Sequence, residues 1–103
     1  MNTYIMLLKF TEAGAAGIKD ARWGRSAGKK MAASFGVKWK QSYLTMGSYD
    51  IVLIVEAPDD ETMERFTLAG LMTGSFQSQT MRAFTEKEAD ELIKSLPDMP
   101  EMG

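Results

Sequence analysis

The sequence predicts a small α+β domain in which helices cover a four-stranded antiparallel sheet. Short apolar runs bounded by turn or cap residues indicate the strands, and apolar residues at helical spacing indicate the helices between them. A Gly-Ser pair between two strand-like runs adds a tight hairpin. The chain has 103 residues, of which 45% are apolar and 25% are charged. This composition is typical of one globular domain with a modest core of its own.

The first half of the chain is predicted to form a strand, a helix and a second strand. Residues 3–10 (TYIMLLKF) are a short apolar run, whereas residues 11–20 (TEAGAAGIKD) hold at most one weak helical turn. A helix is expected over residues 20–36, because apolar side chains recur one turn apart and Gly36 suits the position beyond a helix end. Residues 37–46 (VKWKQSYLTM) alternate in polarity and predict the second strand.

The second half is predicted to form a strand, a helix and a fourth strand. The turn at residues 47–48 leads into residues 49–56 (YDIVLIVE), a third strand-like run. Acidic residues after Pro58 indicate a helix start, because an Asp can cap the first turn while the others oppose the positive end of the helix dipole. This helix is expected to stop at Gly74, and residues 75–84 then form the fourth strand.

A further helix follows the fourth strand. Thr85 and Glu88 have the spacing of a capping box, and apolar residues recur at helical spacing until Pro97. Residues 1–96 are predicted to form a single domain and residues 97–103 a flexible tail. The order β-α-β-β-α-β with a trailing helix is the ferredoxin-like pattern, in which the first and third strands lie in the middle of the sheet.

The two central strands are apolar on both faces. In the first strand Ile5 and Leu7 alternate with Met6 and Leu8, and the third strand repeats this pattern. An antiparallel sheet with one solvated face should instead alternate apolar with polar residues. Because the helices cover only one face, the sequence predicts a homodimer or higher homo-oligomer in which two sheets pack face to face as a dimeric α/β barrel.

Four separated blocks of the chain carry a family pattern. They are residues 4–12, residues 47–50 (GSYD), residues 56–60 (EAPDD) and residues 79–85 (QTMRAFT). In order and spacing these blocks resemble the GYD-domain family over nearly all of the chain except the tail. The resemblance implies a small ferredoxin-like domain that forms a dimeric α/β barrel. It implies no catalytic residue, because the biochemical role of that family is not established.

The composition excludes several classes of function. The chain has no Cys and no His, which excludes a disulfide framework, a Cys-based redox centre, His-dependent catalysis and His-ligated haem or zinc. No signal peptide or membrane span is visible, so a cytoplasmic protein without membrane contacts is expected. Residues 1–50 carry a net charge of +5 and residues 51–103 one of −7. This charge separation either orients a second copy or another partner or reflects two solvated faces. The basic half has no arginine-rich run, and no nucleic-acid partner is expected.

Two of the candidate ligand-binding residues lie at the hairpin turn, and two are uncharged polar residues of the outer strands. Tyr49 and Asp50 flank the turn, where Asp50 either accepts turn N–H groups or lines a pocket mouth together with Tyr49. Tyr43 and Gln79 lie on the outer strands. With Gln41, Ser78 and Thr80 nearby in sequence, they either orient a small ligand in the barrel or are solvated edge positions.

Glu56 and Arg82 are the two charged candidates. Glu56 ends a run of apolar residues, where a carboxylate needs a positive partner. Arg82 lies near the same end of the sheet, and a guanidinium is well suited to a partly buried carboxylate. The sequence predicts that the two side chains pair directly or share a ligand at this end of the barrel. In the second case they would form an anion site or serve in acid–base chemistry.

The predicted function is a homo-oligomeric binding module that holds a small, largely apolar ligand in the barrel between two sheets. A cofactor-free enzyme with oxygenase-like or isomerase-like chemistry and a purely structural oligomer are the alternatives. No cofactor and no metal are expected, because the acidic run at residues 59–61 is explained by the helix dipole and the nine methionines are ordinary core fillers. A cavity of about 300 Å³ or more favours a ligand over a filled interior.

Overall fold

The computed structural model describes residues 1–21 and 25–99, which form four strands and five helices. In chain order these are β1 Asn2–Phe10, α1 Glu12–Ala16, α2 Ile18–Ala21, α3 Arg25–Ser34, β2 Lys38–Leu44, β3 Ile51–Ala57, α4 Asp60–Leu71, β4 Phe76–Ala83 and α5 Glu86–Lys94. Among the described residues, no helix is both long enough and apolar enough to cross a membrane.

The four strands form one antiparallel sheet in the order β2-β3-β1-β4. The two most apolar strands, β1 and β3, therefore lie in the middle, where both of their edges are hydrogen-bonded. Tyr4 of β1 lies opposite Val55 of β3 on one side and opposite Arg82 of β4 on the other. The predicted ferredoxin-like α+β fold with a trailing helix is confirmed.

The segment between β1 and β2 differs from its prediction in detail. The sequence predicts one helix over residues 20–36 after a weak turn, whereas the structure has α1, α2 and α3 there. α1 forms because Thr11 caps it, with the Thr11 hydroxyl accepting the N–H of Gly14 at 3.2 Å. Gly36 lies beyond the end of α3 with a φ of 77°, as predicted for a helix stop. Residues 22–24 of the predicted helix and residues 100–103 of the predicted tail lie outside the described residues.

The face of the sheet that α3 and α4 cover forms the hydrophobic core. Tyr4 and Met6 of β1 and Val55 of β3 are buried there against Met63 and Phe66 of α4. Val55 is 0% and Met63 is 1% exposed, so this part of the core is closely packed. Sequence alternation explains which residues face inward, because successive side chains of a strand point to opposite faces.

The opposite face of the sheet is not covered by α3 or α4. Ile5 and Leu7 of β1 lie opposite Ile54 and Val52 of β3 on this side, and Met81 of β4 continues the same row. None of these five side chains is fully buried. We call the surface formed by Ile5, Leu7, Val52, Ile54 and Met81 the open face.

Two predicted helix starts are confirmed. Asp59 caps α4, because its Oδ1 accepts the N–H of Thr62 at 2.8 Å, and this hydrogen bond holds the pKa of the Asp59 carboxyl below its usual value. Thr85 and Glu88 form the capping box of α5. The Thr85 hydroxyl accepts the N–H of Glu88 at 3.2 Å, and the Glu88 carboxylate accepts the N–H of Thr85 at 3.0 Å, which lowers the pKa of Glu88.

The apolar side of α5 is exposed. Leu92, Ile93 and Leu96 are 49%, 64% and 67% exposed, and Phe84 just before the helix is 52% exposed. No side chain of α5 is buried. The predicted amphipathic pattern is therefore present, but its apolar stripe is not used in the core of the described chain.

Candidate functional site

A cavity of about 410 Å³ lies between the helix-covered face of the sheet and the helices. Met6 and Leu8 of β1 and Leu53 of β3 line it on the sheet side, whereas Met31 of α3 and Phe66 of α4 line it on the helix side. Its volume is within the range of small-molecule sites, which are also predominantly apolar. The cavity is therefore large enough for a small ligand.

Close backbone approaches hold α1 at one end of this cavity. The N–H of Thr11 donates to the carbonyl oxygen of Ser75 at 3.0 Å, and the Thr11 hydroxyl donates to the carbonyl oxygen of Gly74 at 2.6 Å. A Cβ at Gly14 would lie only 2.1 Å from the Ser75 carbonyl oxygen. Only glycine fits at position 14, since the chain segment that precedes β4 passes directly over it.

Aromatic rings and small residues shape the remaining walls. The rings of Phe10 and Phe76, at the paired ends of β1 and β4, have centroids 5.5 Å apart. Trp39 of β2 lies under Gly28 of α3, where a Cβ would be 3.1 Å from the indole ring. All four residues line the cavity. The glycine in the helix therefore lets α3 lie close to the Trp39 ring.

The polar side chains of the described cavity lining are one cation and a set of hydroxyl groups. Arg25, at the start of α3, is the one charged side chain among the described lining residues. The hydroxyl-bearing lining residues are Ser42, Tyr43, Thr67, Thr73, Ser75 and Ser78. Thr80 lies between Thr67 of α4 and Ser78 of β4. The Oγ1 atom of Thr80 is 3.1 Å from Oγ1 of Thr67 and 3.2 Å from Oγ of Ser78. Hydroxyl groups rather than carboxylates are thus present where the cavity meets β4.

Within one chain, Glu56 and Arg82 do not form the predicted direct pair. Both residues lie near the same end of the sheet, but Glu56 is opposite Thr3 whereas Arg82 is opposite Tyr4. Because adjacent residues of β1 point to opposite faces, the two side chains lie on opposite faces of the sheet. Glu56 instead lies 3.9 Å from the Nζ of Lys40.

Arg82 is held by groups near the start of β1 and α5. Its Nη2 donates to Oδ1 of Asn2 at 3.1 Å and lies 3.8 Å from a carboxylate oxygen of Glu88. Its Nη1 hydrogen-bonds the carbonyl oxygen of Ala83. The guanidinium carbon also lies 4.5 Å from the centroid of the Phe84 ring. These contacts hold the end of β4 against the start of α5. The guanidinium group of Arg82 therefore has a structural role in the described chain.

Of the other predicted site residues, Tyr49, Gln79 and Tyr43 lie on the side of the open face. The Tyr49 hydroxyl donates to Oε1 of Gln79 at 2.6 Å, and Gln79 is opposite Leu7 in the sheet. Tyr43 lies opposite Val52, and its hydroxyl donates to Gln41 at 3.0 Å. Tyr43 is also among the residues at the cavity. These polar side chains surround the apolar centre of the open face.

Asp50 stabilises the connection between β2 and β3. Its Oδ2 accepts the N–H of Phe10 at 2.9 Å, and its own N–H donates to the carbonyl oxygen of Leu8 at 2.8 Å. The carboxylate accepts a backbone N–H of β1, rather than an N–H of the turn as the structural alternative for Asp50 specified. These two bonds join the end of β1 to the start of β3 next to the cavity lining.

One buried polar contact was not predicted from the sequence. The hydroxyl of Tyr4, which is 3% exposed, donates to Oδ1 of Asp60 at 2.5 Å. Burial and the hydrogen bond to Asp60 raise the pKa of Tyr4. A tyrosine in an otherwise apolar central strand is a signal that could have prompted a search for an acceptor. The contact ties β1 to the start of α4, away from the cavity.

The sheet, the covering helices and the cavity define a class of protein: a small ferredoxin-like α+β domain with a ligand-sized space beside its sheet. The sequence profile of the GYD domain matches residues 4–93. The chain therefore belongs to the GYD domain family.

Known proteins resemble this chain in sequence or in fold. A Thermus thermophilus protein named glutamine synthetase and cystathionine beta-lyase binding protein is 32% identical over 84 residues, which is 81% of this chain and 88% of the relative. A crystal structure of a Thermus thermophilus protein has a TM-score of 0.56 at 21% identity and covers 82% of this chain and 95% of its own. The 5-chloro-2-hydroxyhydroquinone dehydrochlorinase of Burkholderia phenoliruptrix, in complex with 2,5-dihydroxybenzoquinone, has a TM-score of 0.60 at 15% identity, over 82% of this chain and 96% of its own. These two structures share the fold.

Proposed function

We propose that the protein is a homo-oligomeric small-molecule-binding module whose ligand occupies the cavity between the sheet and its helices. The single observation that carries this proposal is an apolar space of about 410 Å³ beside β1 and β3. A filled interior would be expected of a purely structural oligomer. The sequence predicts a ligand between two sheets, whereas in this proposal the ligand lies on the helix-covered side of one sheet.

The open face supports the oligomeric part of the proposal. Its centre is apolar, and its rim holds polar side chains such as Tyr43, Tyr49, Glu56 and Gln79. An apolar centre with a polar rim is the usual anatomy of an interface between proteins. In this proposal those candidate residues border the contact between two copies rather than the ligand.

The cofactor-free enzyme alternative has less support from the cavity. General acid–base catalysis needs a titratable group within hydrogen-bond reach of the substrate. Among the described residues that line the cavity, none is an Asp, Glu or Lys, and the chain has no His. The tyrosine at the cavity, Tyr43, is 51% exposed and its hydroxyl donates to Gln41. The dehydrochlorinase shares the fold at 15% identity and so gives no support for its reaction here.

A cavity-filling variant tests the ligand site. Gly70 lines the cavity on α4, and a Cβ there meets nothing within 4 Å. We expect Gly70→Leu to fill part of this space and to bind naphthalene and 2-naphthol at least about tenfold more weakly in calorimetry. Its unfolding in urea should be unchanged or shifted to higher urea, because glycine is a poor helix former.

The matched control is Leu68→Ala on the same helix. Leu68 is 53% exposed and does not line the cavity, so this variant should bind both probes like the unmodified protein. If neither probe binds the unmodified protein, or if Gly70→Leu binds them equally well, the ligand site is not in this cavity.

A second candidate function is the binding of another enzyme. The 32% identical relative is named for binding glutamine synthetase and cystathionine beta-lyase, and the exposed apolar side of α5 offers a docking surface. We expect purified glutamine synthetase to bind the unmodified protein in biolayer interferometry and to bind Ile93→Glu at least about tenfold more weakly. Lys87→Glu, on the same helix, is the control for charge alone. Absence of binding to the unmodified protein would contradict this candidate.

A further inference from the structure

Three hydroxyl groups form a hydrogen-bonded chain from α4 to the cavity surface of β4. The hydroxyl of Thr67 donates to the carbonyl oxygen of Met63, one turn earlier in α4, at 3.0 Å. Oγ1 of Thr80 lies 3.1 Å from Oγ1 of Thr67, and Oγ of Ser78 lies 3.2 Å from Oγ1 of Thr80. Each hydroxyl carries one proton to donate and two lone pairs to accept.

The number of available protons determines which hydroxyl donates in each of these hydrogen bonds. The proton of Thr67 is committed to the Met63 carbonyl oxygen, so the contact between Thr67 and Thr80 is a hydrogen bond only if Thr80 donates. The proton of Thr80 is then committed as well. The contact between Thr80 and Ser78 is therefore a hydrogen bond only if Ser78 donates to Thr80.

As a consequence, the hydroxyl oxygens on this wall of the cavity offer a ligand only lone pairs, which accept hydrogen bonds. Ser78 and Thr67 both line the cavity, and both have given up their protons inside the protein. Hydrogen bonds in such a chain polarise one another, which makes the Ser78 oxygen a better acceptor. A ligand carboxylate, phenolate or carbonyl oxygen would meet only lone pairs there, whereas an O–H or N–H group would find an acceptor.

The charge of the lining restricts the ligand further. A ligand ammonium group would also donate to Ser78, but no carboxylate is among the described lining residues to balance its charge, and an unpaired charge in an apolar cavity is strongly unfavourable. The one charged residue of the described lining, Arg25, is exposed to solvent, where water screens its attraction for an anion, and an anionic oxygen has no proton to donate to Ser78. Resting on the proposed ligand site, we propose that the cavity takes a neutral aromatic or aliphatic alcohol, such as a phenol, whose hydroxyl donates its proton to the Ser78 oxygen.

Three probes of similar shape test this proposal. We expect the unmodified protein to bind 2-naphthol about three- to tenfold more tightly than 2-methoxynaphthalene or naphthalene, since one neutral hydrogen bond is gained. Ser78→Ala should bind all three within about twofold of one another. The affinities are measured by calorimetry, and urea unfolding of each variant confirms that it is folded.

Thr80→Val is expected to change which probe binds best, and a purely structural role of the three hydroxyl groups would not produce this change. Without the Thr80 oxygen, the Ser78 proton has no acceptor in the chain and becomes available to a ligand. We expect Thr80→Val to bind 2-methoxynaphthalene about as tightly as 2-naphthol, because Ser78 can then donate to the ether oxygen. Thr3→Val, which makes the same change at a residue of β1 that does not line the cavity, is the control and should keep the preference for 2-naphthol.

The failure of this proposal is distinguishable from the failure of the ligand site. If none of the three probes binds the unmodified protein, the proposed function fails and this inference fails with it. If all three bind with equal affinity, the cavity is a ligand site but the hydroxyl preference is refuted. If the preference persists in Ser78→Ala, the ligand hydroxyl donates elsewhere and the assignment of Ser78 is refuted.

Discussion

Ile54→Lys is expected to abolish the proposed dimer and leave the protein as a monomer. Ile54 lies at the centre of the open face, opposite Ile5 in the neighbouring strand. If two open faces pack together, the substitution places two ammonium groups in an apolar contact, where a charge without a partner is strongly unfavourable. The dissociation constant of the dimer should rise at least ~100-fold, as measured by sedimentation equilibrium at micromolar concentration.

The control for this prediction is Leu68→Lys. Leu68 is an exposed apolar residue of α4, on the side of the molecule away from the open face. The substitution has the same chemistry but should leave the sedimenting mass unchanged. An unmodified protein that sediments as a monomer at micromolar concentration would contradict the dimer, and so would an Ile54→Lys variant that remains dimeric.

Gly14→Ala is expected to destabilise the protein by about 2–3 kcal/mol. The new methyl group would lie 2.1 Å from the carbonyl oxygen of Ser75, and this oxygen also accepts the N–H of Thr11. Since the obstacle is backbone rather than a flexible side chain, α1 has to move away from the start of β4. Overpacking of this kind costs about 1–3 kcal/mol, and the lost hydrogen bond adds to it.

Urea unfolding measures this loss, and Gly17→Ala provides the comparison. Gly17 ends α1, but a Cβ there meets its nearest atom, the Ala13 carbonyl oxygen, at 3.7 Å, which is ordinary contact. Gly17→Ala should therefore change the free energy of unfolding by less than about 0.5 kcal/mol. Equal stability of the two variants would show that α1 shifts without resistance and that the close approach at Gly14 contributes nothing.

Most of the strands and helix ends could be predicted because their causes are local in sequence. β1 and β3 are recognisable as short apolar runs, and Asp59, Thr85 and Gly36 mark helix ends through hydrogen bonds to groups a few residues away. These signals follow from capping and turn geometry, which each segment carries by itself. The two-faced apolarity of the central strands likewise indicates a sheet surface that the helices do not cover.

The pairing of Glu56 with Arg82 shows what strand order alone leaves open. Which side chains share a face depends on register to within one residue, and a shift of one residue moves every side chain of a strand to the other face. The sequence placed both residues near one end of the sheet, which is where they lie. It did not determine that Thr3 rather than Tyr4 would be opposite Glu56.

The cavity could not be predicted from residue types. Met31, Phe66 and Trp39 are ordinary core residues by composition, and the space between them exists because α1 and α3 are held at particular distances from the sheet. The hydroxyl chain is similar: Ser78 and Thr80 are recognisable as polar residues of an outer strand, but their partner Thr67 lies on a helix. That contact depends on how α4 packs on β4.

Successive residues of the seven-residue strand β3 belong to different surfaces. Ile51 and Leu53 line the cavity, whereas Val52 and Ile54 lie on the open face. Under the proposed function, a mutation at one of the first two positions would change the space around a ligand, and a mutation at one of the second two would change self-association. Natural selection would then act on ligand preference and on assembly separately, although both are encoded within the same few codons. Descendants of one ancestral gene could exchange one ligand for another while keeping the same quaternary structure.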